Sequence, residues 1–249
     1  MSPLRSCLGS KARGNTSEMS QVPKSVLEQA EESAKVNIGI IADGNGRWAE
    51  SRGLPRVRGH EAGAENIKGI IACLKGKADY LTLYGFSTEN WNRSREEVNH
   101  LFRIMEEHVN GVLLEWCIEN GIRLYHFGSR DRLPEGLLNA MDRARMLTSR
   151  NRKMHVGFCL DYGAREEIEN AARLYDGNLR FQDYLYTYSF PDVDLIIRTG
   201  GEHRLSNFLL YQSAYAEIYF TDTLFPDLGE KELMRILDWF KSRRRTFGG

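Results

Sequence analysis

The residues best able to do chemistry lie in one stretch, Asn37–His60. The apolar run that opens it, residues 36–41, has the composition of a buried strand and is followed by a single carboxylate, Asp43. A glycine turn comes next and lets the backbone present its N–H groups. The cationic and aromatic side chains that follow are Arg47, Trp48, Arg56, Arg58 and His60. Arginines pair with phosphate oxygens and a carboxylate holds a hard cation against them, so the stretch predicts a metal-assisted diphosphate site.

This stretch by itself is compatible with a second interpretation. It contains neither the G-x-x-x-x-G-K-[ST] motif of a P-loop nor the G-x-G-x-x-G motif of a dinucleotide-binding fold. A tight turn flanked by solvated arginines is therefore the alternative.

Composition narrows the class of protein. A chain of 249 residues can bury a sizeable core, and 34 basic against 34 acidic residues give no electrostatic indication of nucleic-acid binding. No apolar run reaches the length of a membrane span. The four cysteines show no C-x-x-C spacing, which is typical of a reduced, cytoplasmic protein.

The first 35 residues differ in composition from the rest, and we expect them to form a disordered tail. Residues 1–17 are rich in Ser and Gly and contain no acid, and a transit peptide is the alternative. Residues 24–35 are compatible with a short polar helix. We expect the catalytic domain to span residues 36–249.

Strands alternate with helices along that domain, which predicts a mostly parallel six-stranded α/β sheet flanked by helices. The predicted strands are residues 36–41, 79–86, 122–127, 154–160, 192–198 and 217–220. The apolar periodicity predicts helices over 63–74, after Pro134 and over 229–243, and one helix of about 26 residues that begins after Ser94 and ends at Gly121. Ser94 to Glu97 has the pattern of a capping box.

Three loops should meet at one edge of this sheet, because the carboxyl ends of parallel strands share an edge and ligands bind there. These loops are 43–60, 86–97 and 198–206, and they carry the motifs DGNGRW, R-x-x-x-H, FSTENWNR and IRTGGEHRLSNFLLYQSAYAE. The motifs resemble those of the cis-prenyltransferases, the undecaprenyl diphosphate synthase family, from about Asn37 to Gly249. The bacterial undecaprenyl enzymes are the most similar.

The resemblance implies a Mg²⁺-dependent condensation of isopentenyl diphosphate with an allylic diphosphate, usually farnesyl diphosphate. Each step would form a cis double bond, and the product would grow along an apolar tunnel. The resemblance also implies a homodimer in the cytoplasm, with or without peripheral membrane contact.

Individual roles follow from the same resemblance. Asp43 would be the essential magnesium-linked carboxylate, and Glu217 would complete the metal site, from the neighbouring subunit in some members. The residues expected at the allylic diphosphate are Gly44, Asn45, Gly46, Arg47, Trp48, Arg56 and His60. Those expected around the reaction centre are Ser87, Thr88, Glu89, Trp91 and Arg93, and those expected at isopentenyl diphosphate are Arg198, Arg204 and Ser206.

Asn90 is the remaining candidate catalytic residue, and it is often assigned as the proton acceptor of the family. An amide does not titrate near neutrality, so we interpret Asn90 as an orienting group and a diphosphate oxygen as the final base. Structural interpretations compete at three other positions: Trp91 as a core residue, Glu97 as a helix cap and Glu217 as a paired acid.

Three departures from the family pattern affect these expectations. The chain reads Asp161-Tyr-Gly-Ala-Arg165 where the family often has N-Y-G-G-R. The stretch between Ala172 and Pro191 is short, which leaves product length open. Thr246 replaces an arginine of the family that reaches into the partner's site. The alternatives to a chain-elongating enzyme are a short-chain or irregular prenyltransferase and a non-catalytic partner subunit.

Overall fold

Every strand of the sheet runs parallel to its neighbours in the computed structural model, which describes residues 36–243. The spatial order is β3-β4-β2-β1-β5-β6. The strands are β1 (Asn37–Ile41), β2 (Tyr80–Ser87), β3 (Ile122–Phe127), β4 (Met154–Tyr162), β5 (Leu195–Arg198) and β6 (Glu217–Phe220). The predicted single-domain α/β fold is therefore confirmed.

Helices connect the strands. They are α1 (Asn45–Glu50), α2 (Arg56–Leu74), α3 (Arg95–Asn110), α4 (Val112–Asn120), α5 (Glu135–Leu147), α6 (Ala164–Leu174) and α7 (Glu230–Lys241). Three short 3₁₀ helices span Thr88–Asn92, Phe181–Tyr184 and Phe225–Asp227. Within residues 36–243, no helix combines the length and the apolar character needed to cross a membrane.

The central strands are buried on both faces, which explains their continuous apolar runs. In β1, Ile38 and Ile40 belong to one apolar cluster and Ile41 to another. β5 alternates in the same way, with Ile196 in the second cluster. Since successive side chains of a strand point to opposite faces, the two clusters are the cores on the two sides of the sheet.

The chain changes direction across the sheet at β1. From β1 it continues to β2 on one side, whereas β5 and β6 lie on the other side. In open α/β sheets, ligands bind beyond the carboxyl ends of the strands at such a switch point. The loops that follow β1, β2 and β5 are the three that the sequence singled out.

The predicted helix of about 26 residues is wrong. It is divided at Gly111, whose φ of −102° and ψ of −136° lie outside the helical region. Glycine is less favourable than alanine in a helix interior by about 1 kcal/mol, so little helical stability is lost when the helix breaks at this residue. Val112, the first residue after the break, is 67% exposed. Gly121 ends the second part in the left-handed conformation.

Other boundaries moved by a few residues, and one helix was missed. β4, predicted to end at residue 160, continues to Tyr162, so Asp161 lies inside the strand, whereas β5, predicted from residue 192, begins only at Leu195. Helix α6 was not predicted, although two glutamates in its first turn are typical of a helix start. The predicted tail, its short helix and Thr246 lie outside the described residues.

Helix α6 is fastened to its surroundings by a buried carboxylate. Glu167, which is 1% exposed, accepts hydrogen bonds from the Tyr162 hydroxyl (2.5 Å) and from the Gln212 amide (3.0 Å). Its other oxygen accepts from the Thr187 amide and hydroxyl, both at 3.2 Å. Four donors converge on one acceptor group, so α6, β4 and the segments around residues 187 and 212 are joined at this point.

We expect Glu167→Gln to lower the free energy of unfolding by about 1–3 kcal/mol, because an amide nitrogen would face a donor and leave a buried group unpaired. Urea unfolding at neutral pH measures the change. Glu169→Gln on the same helix is the control, since that side chain is 69% exposed and should change stability by less than about 0.5 kcal/mol. Equal stability of the two variants would contradict the role of Glu167.

Candidate active site

Asp43 lies just beyond the carboxyl end of β1, and Thr199, just beyond β5, holds its backbone. The Thr199 hydroxyl accepts from the Asp43 amide (2.9 Å) and donates to the Asp43 carbonyl (2.7 Å). The Phe225 amide donates to the same carbonyl at 3.1 Å. Hydrogen bonds to the Asp43 backbone, from Thr199 and from Phe225, therefore set the position of this carboxylate.

The Asp43 side chain pairs with two arginines. Arg198 Nη2 donates to Asp43 Oδ2 at 2.9 Å, and Arg47 Nη2 lies 3.5 Å from Oδ1. The Arg198 side chain is 4% exposed, and its other terminal nitrogen donates to the Ser206 hydroxyl at 2.7 Å and to the Arg204 carbonyl. A buried guanidinium requires partners of this kind, because an unpaired buried charge is costly.

A close approach between α1 and α2 shapes the wall beside Asp43. Gly44 begins the turn with φ of +103°, a conformation that favours glycine, and a Cβ there would lie 2.7 Å from Leu224. At Gly59 a Cβ would lie only 1.8 Å from the Asn45 carbonyl oxygen, so a side chain at this position would push the two helices apart. The sequence read Arg56 and His60 as part of a loop, whereas the structure places both on α2.

The loop after β2 presents Ser87, Asn90 and Arg93. The Ser87 amide donates to the Asn90 side-chain oxygen at 3.1 Å, and the Ser87 side chain caps the same 3₁₀ helix in return. This reciprocal cap engages the oxygen of the Asn90 side chain and so fixes the orientation of its NH₂ group, which is a donor. The arrangement agrees with an orienting role. Arg93 donates to Glu97 at 2.8 Å.

Glu97 combines two features that the sequence treated as alternatives. Its backbone amide donates to the Ser94 hydroxyl at 3.2 Å, so Ser94 caps α3 as predicted. Its carboxylate accepts from Arg93 and lies 3.9 Å from His60 Nε2, on the side of the site. The side chain of Glu97 therefore supports the arginine and histidine and not the helix end.

His60 is neutral at neutral pH. Burial and the nearby Arg93 lower its pKa from 6.5 to about 4, although Glu97 opposes the shift. Its Nε2 atom is buried and has no hydrogen-bond partner among the described residues. A neutral imidazole with an unpaired nitrogen is suited to hydrogen bonding with a polar group of a ligand.

These side chains surround one cavity of about 240 Å³ at the switch point of the sheet. Its charged lining consists of one carboxylate and four arginines, so positive charge predominates in the lining, while Glu50 and Glu97 pair with Arg56 and Arg93 from outside it. The predicted site residues that line it are Asp43, Gly44, Asn45, Gly46, Arg47, Arg56, His60, Ser87, Asn90, Arg93, Arg198 and Ser206.

The other predicted site residues lie outside the cavity wall. The Trp48 indole N–H donates to Asp227 at 2.7 Å, and that of Trp91 donates to Asp161 at 2.7 Å. Thr88 donates to Glu166 in the first turn of α6, and Glu89 accepts from Asn207 in the loop after β5. Arg204 is exposed and pairs with Glu202 at 2.6 Å, but its carbonyl accepts from Arg198.

Glu217 does not lie beside Asp43 within one chain. It is the first residue of β6 and is in register with Leu195, three residues before Arg198. At about 3.3 Å per residue, this places Glu217 roughly 10 Å from the edge that carries Asp43. Its carboxylate lies 3.5 Å from Arg243 Nε. A shared metal site would therefore need Glu217 from a second copy.

The described residues contain no group of three or more His, Cys, Asp or Glu side chains that could hold a metal ion. Asp43 nevertheless fits Mg²⁺, because this ion is commonly bound by one or two carboxylates together with water and substrate phosphates. Its carboxylate is 33% exposed and faces the cavity.

Sequence reasoning missed the residues that support this site. Thr199 holds Asp43, and Tyr84 donates from its hydroxyl to the carbonyl groups of Tyr162 and Ser206, each at 3.2 Å. Asp227 joins Trp48 and Arg52. Thr199 directly follows a predicted strand and Tyr84 lies within one, so both could have been found from their positions, whereas Asp227 reaches the site from a distant segment.

The fold and cavity define an α/β protein whose sheet switch point carries an arginine-lined cavity, a lining suited to anionic, phosphate-bearing ligands. Comparisons with known proteins agree. The family model described as putative undecaprenyl diphosphate synthase matches residues 41–248. The isoprenyl transferase of Leptospira interrogans is 44% identical over 228 residues, covering 86% of this chain and 94% of that protein. The isoprenyl transferase of Aquifex aeolicus is 43% identical over 220 residues, covering 85% and 95%.

Solved structures show the same similarity. Lavandulyl diphosphate synthase from Lavandula x intermedia, in complex with dimethylallyl diphosphate, is 38% identical with a TM-score of 0.81, over 86% of this chain and 98% of that one. A probable undecaprenyl diphosphate synthase from Campylobacter jejuni is 31% identical with a TM-score of 0.72, over 86% and 99%. The chain belongs to the undecaprenyl diphosphate synthase family and is a cis-prenyltransferase.

The low pKa of His60 predicts a specific pH dependence of stability. The folded chain binds a proton at His60 only near pH 4, whereas the unfolded chain does so near pH 6.5. The resulting stabilisation is present above pH 6.5 and is lost as the pH falls through 4. Between pH 7 and pH 4.5, the wild type should lose about 2–3 kcal/mol more stability than His60→Gln.

Urea unfolding at the two pH values measures this difference, and the ring ¹⁵N signals of His60 report its pKa directly. Comparison with His60→Gln removes the contributions of the carboxylates, which the two proteins share. A titration midpoint of His60 near pH 6.5 in the folded protein would contradict the burial of a neutral ring.

Proposed function

We propose that the cavity binds an allylic diphosphate and isopentenyl diphosphate side by side and joins them in a Mg²⁺-dependent cis-condensation, repeated to give a polyprenyl diphosphate. The observation that carries this proposal is the single carboxylate, Asp43, among four arginines at the switch point of the sheet. Two diphosphates repel each other strongly, so a site for both needs several cations in a medium of low dielectric constant.

Two groups of residues would each bind one of the two substrates. Arg47 and Arg56 lie on the α1–α2 side and would bind the allylic diphosphate, together with the N–H groups of the first turn of α1, which have no partner within the helix. Arg198, Arg204 and Ser206 lie on the β5 side and would bind isopentenyl diphosphate. Mg²⁺ held by Asp43 would neutralise charge on the diphosphate oxygens.

In each condensation, a bond would form between C4 of isopentenyl diphosphate and C1 of the allylic substrate. The C1–O bond would break and its electrons would leave with the diphosphate. A proton would then leave C2 of the isopentenyl unit and close the new cis double bond. Asn90 would orient the reacting groups, and a diphosphate oxygen would accept the proton.

A second cavity, of about 430 Å³, adjoins the first between α2 and α3. It shares Arg56, His60 and Leu101 with the first cavity, and Pro55 and Val57 add to its apolar lining. We propose that the prenyl chain extends in this direction. The modest size of both cavities favours a short-chain or irregular synthase as the second candidate.

A product assay tests the proposal and separates the two candidates. Radiolabelled isopentenyl diphosphate is supplied with geranyl, farnesyl or geranylgeranyl diphosphate, with Mg²⁺ or with EDTA, and products are read by chain length. Multiple additions that need Mg²⁺ support the polyprenyl synthase. A single addition, or coupling of two allylic units, supports the second candidate, and no transfer with any primer contradicts both.

Asp43→Ala should lower kcat by about three orders of magnitude, several kcal/mol, and change the KM values much less, because its carboxylate acts on the leaving diphosphate. Since the alanine leaves Arg198 without its buried partner, Asp43→Asn is measured as well. Asp142→Asn is the control, because this carboxylate pairs with Arg130 on the surface. More than a tenth of wild-type activity in folded Asp43 variants would refute the assignment.

The arginine variants should fall into two groups that differ in the substrate whose KM rises. Arg204→Ala should mainly raise KM for isopentenyl diphosphate, and Arg47→Ala or Arg56→Ala the KM for the allylic substrate. Each effect should be about 1.5–3 kcal/mol, or roughly 10-fold to 150-fold, for a lost charged hydrogen bond. Arg58→Ala is the control on α2, since this exposed residue pairs with Glu61. Equal losses for both substrates in all three variants would argue against two subsites.

We also propose a homodimer, cytoplasmic or peripheral to the membrane. Glu217 of a second copy would complete the metal site at Asp43, because Glu217 and Asp43 do not lie side by side within one chain. The molar mass in solution, from light scattering at assay concentrations, tests this association.

A further inference from the structure

The 3₁₀ helix Thr88–Asn92 carries Asn90 and lies between two other cavity residues, Ser87 and Arg93, yet it is only five residues long. A helix this short has little stability of its own, so its position must come from tertiary contacts. The contact that stands out is made by Trp91, which points away from the cavity.

Trp91 is anchored to Asp161, a carboxylate whose side chain is fully buried. The indole N–H donates to Asp161 Oδ1 at 2.7 Å. The ring packs against Phe86 and Phe102, with centroids 5.2 and 5.4 Å away, and the guanidinium of Arg132 lies 5.0 Å from the ring centre. The indole is therefore held both by its ring and by its nitrogen.

Asp161 is itself held in an unusual conformation. Its φ is +49°, a left-handed value that asparagine and aspartate tolerate better than most residues. Arg132 binds the carboxylate with two nitrogens, Nε at 3.0 Å and Nη2 at 2.5 Å, and the Ser129 amide donates to the Asp161 carbonyl at 3.0 Å. A buried charge with this many partners is a rigid support.

We propose that Asp161 is a positioning residue that acts through Trp91. With Arg132 as its counterion, it fixes the Thr88–Asn92 helix so that Ser87, Asn90 and Arg93 face the substrates. The proposal rests on the proposed function for the role of those three side chains, but the positioning of the helix can be measured without any prenyl transfer.

Trp91→Phe is the main variant, because it keeps an aromatic ring and removes the N–H donor. Asp161→Asn is the conservative partner: it keeps an acceptor oxygen for Trp91 and tolerates the left-handed backbone. Trp239→Phe on α7 is the matched control, since Trp239 packs against Tyr219 and has no part in the cavity. Hydrogen exchange of the peptide covering residues 87–93, melting temperature, kcat and KM are measured for each.

We expect exchange in residues 87–93 to become at least tenfold faster in Trp91→Phe, with a loss of at least tenfold in kcat and little change in KM at a temperature well below unfolding. Asp161→Asn should stay within about threefold of wild type in both readouts, because its oxygen still accepts from the Trp91 indole and the Arg132 side chain, which is 50% exposed, can turn to water. Trp239→Phe should leave both readouts unchanged. This pattern would establish the positioning role and exclude a general loss of stability.

Two results would overturn the proposal. One is Trp91→Phe with unchanged exchange in residues 87–93, which would show that the hydrogen bond does not hold the helix. The other is faster exchange throughout the chain, with kcat losses that follow melting temperature equally in Trp91→Phe and Trp239→Phe. If wild type transferred no prenyl group, the proposed function would fail, and the exchange data would still decide whether Asp161 holds the helix.

Discussion

The ion pair between Asp43 and Arg198 joins the two strands on either side of the switch point. Ile41 and Arg198 are in register in neighbouring strands, so the carboxylate that follows one strand meets the guanidinium that ends the other. The pair lies where the sheet changes direction, and Thr199 locks the same two strand ends through the backbone of Asp43. The remaining parts of the site are arranged around this point.

Close packing keeps the site in place as much as charge does. Helix α1 has only six residues and would not persist alone, but α2 lies against it with glycine at the point of contact. Asp227 binds Trp48 and Arg52 on the outer side of α1. The 3₁₀ helix after β2 depends in the same way on the packing of Trp91. These two short segments carry Asn45, Arg47 and Asn90 of the cavity lining, and each is held by residues that do not face the cavity.

The sequence predicted the features that local physics determines. A strand buried on both faces must be apolar throughout, so β1 was evident, and the parallel order placed three loops at one edge. The break at Gly111 was not evident, because the apolar period continues across it. The motifs predict Trp91 and Trp48 as substrate contacts, with a place in the core as the alternative for Trp91. Their indole nitrogens face Asp161 and Asp227, 70 and 179 residues further along the chain, and such pairs cannot be deduced from spacing.

The same ion pair constrains how ligands enter. Arg198 is almost fully buried, and its charge is compensated by Asp43. If a diphosphate paired with Arg198 and no cation were bound, the Asp43 carboxylate would face an anion, which is unfavourable in a medium of low dielectric constant. A divalent cation bound together with the diphosphate would remove this conflict, because Asp43 would hold the cation while the guanidinium of Arg198 turned to phosphate oxygens. Charge balance would therefore favour joint entry of cation and diphosphate, and a single carboxylate among four arginines would then be sufficient.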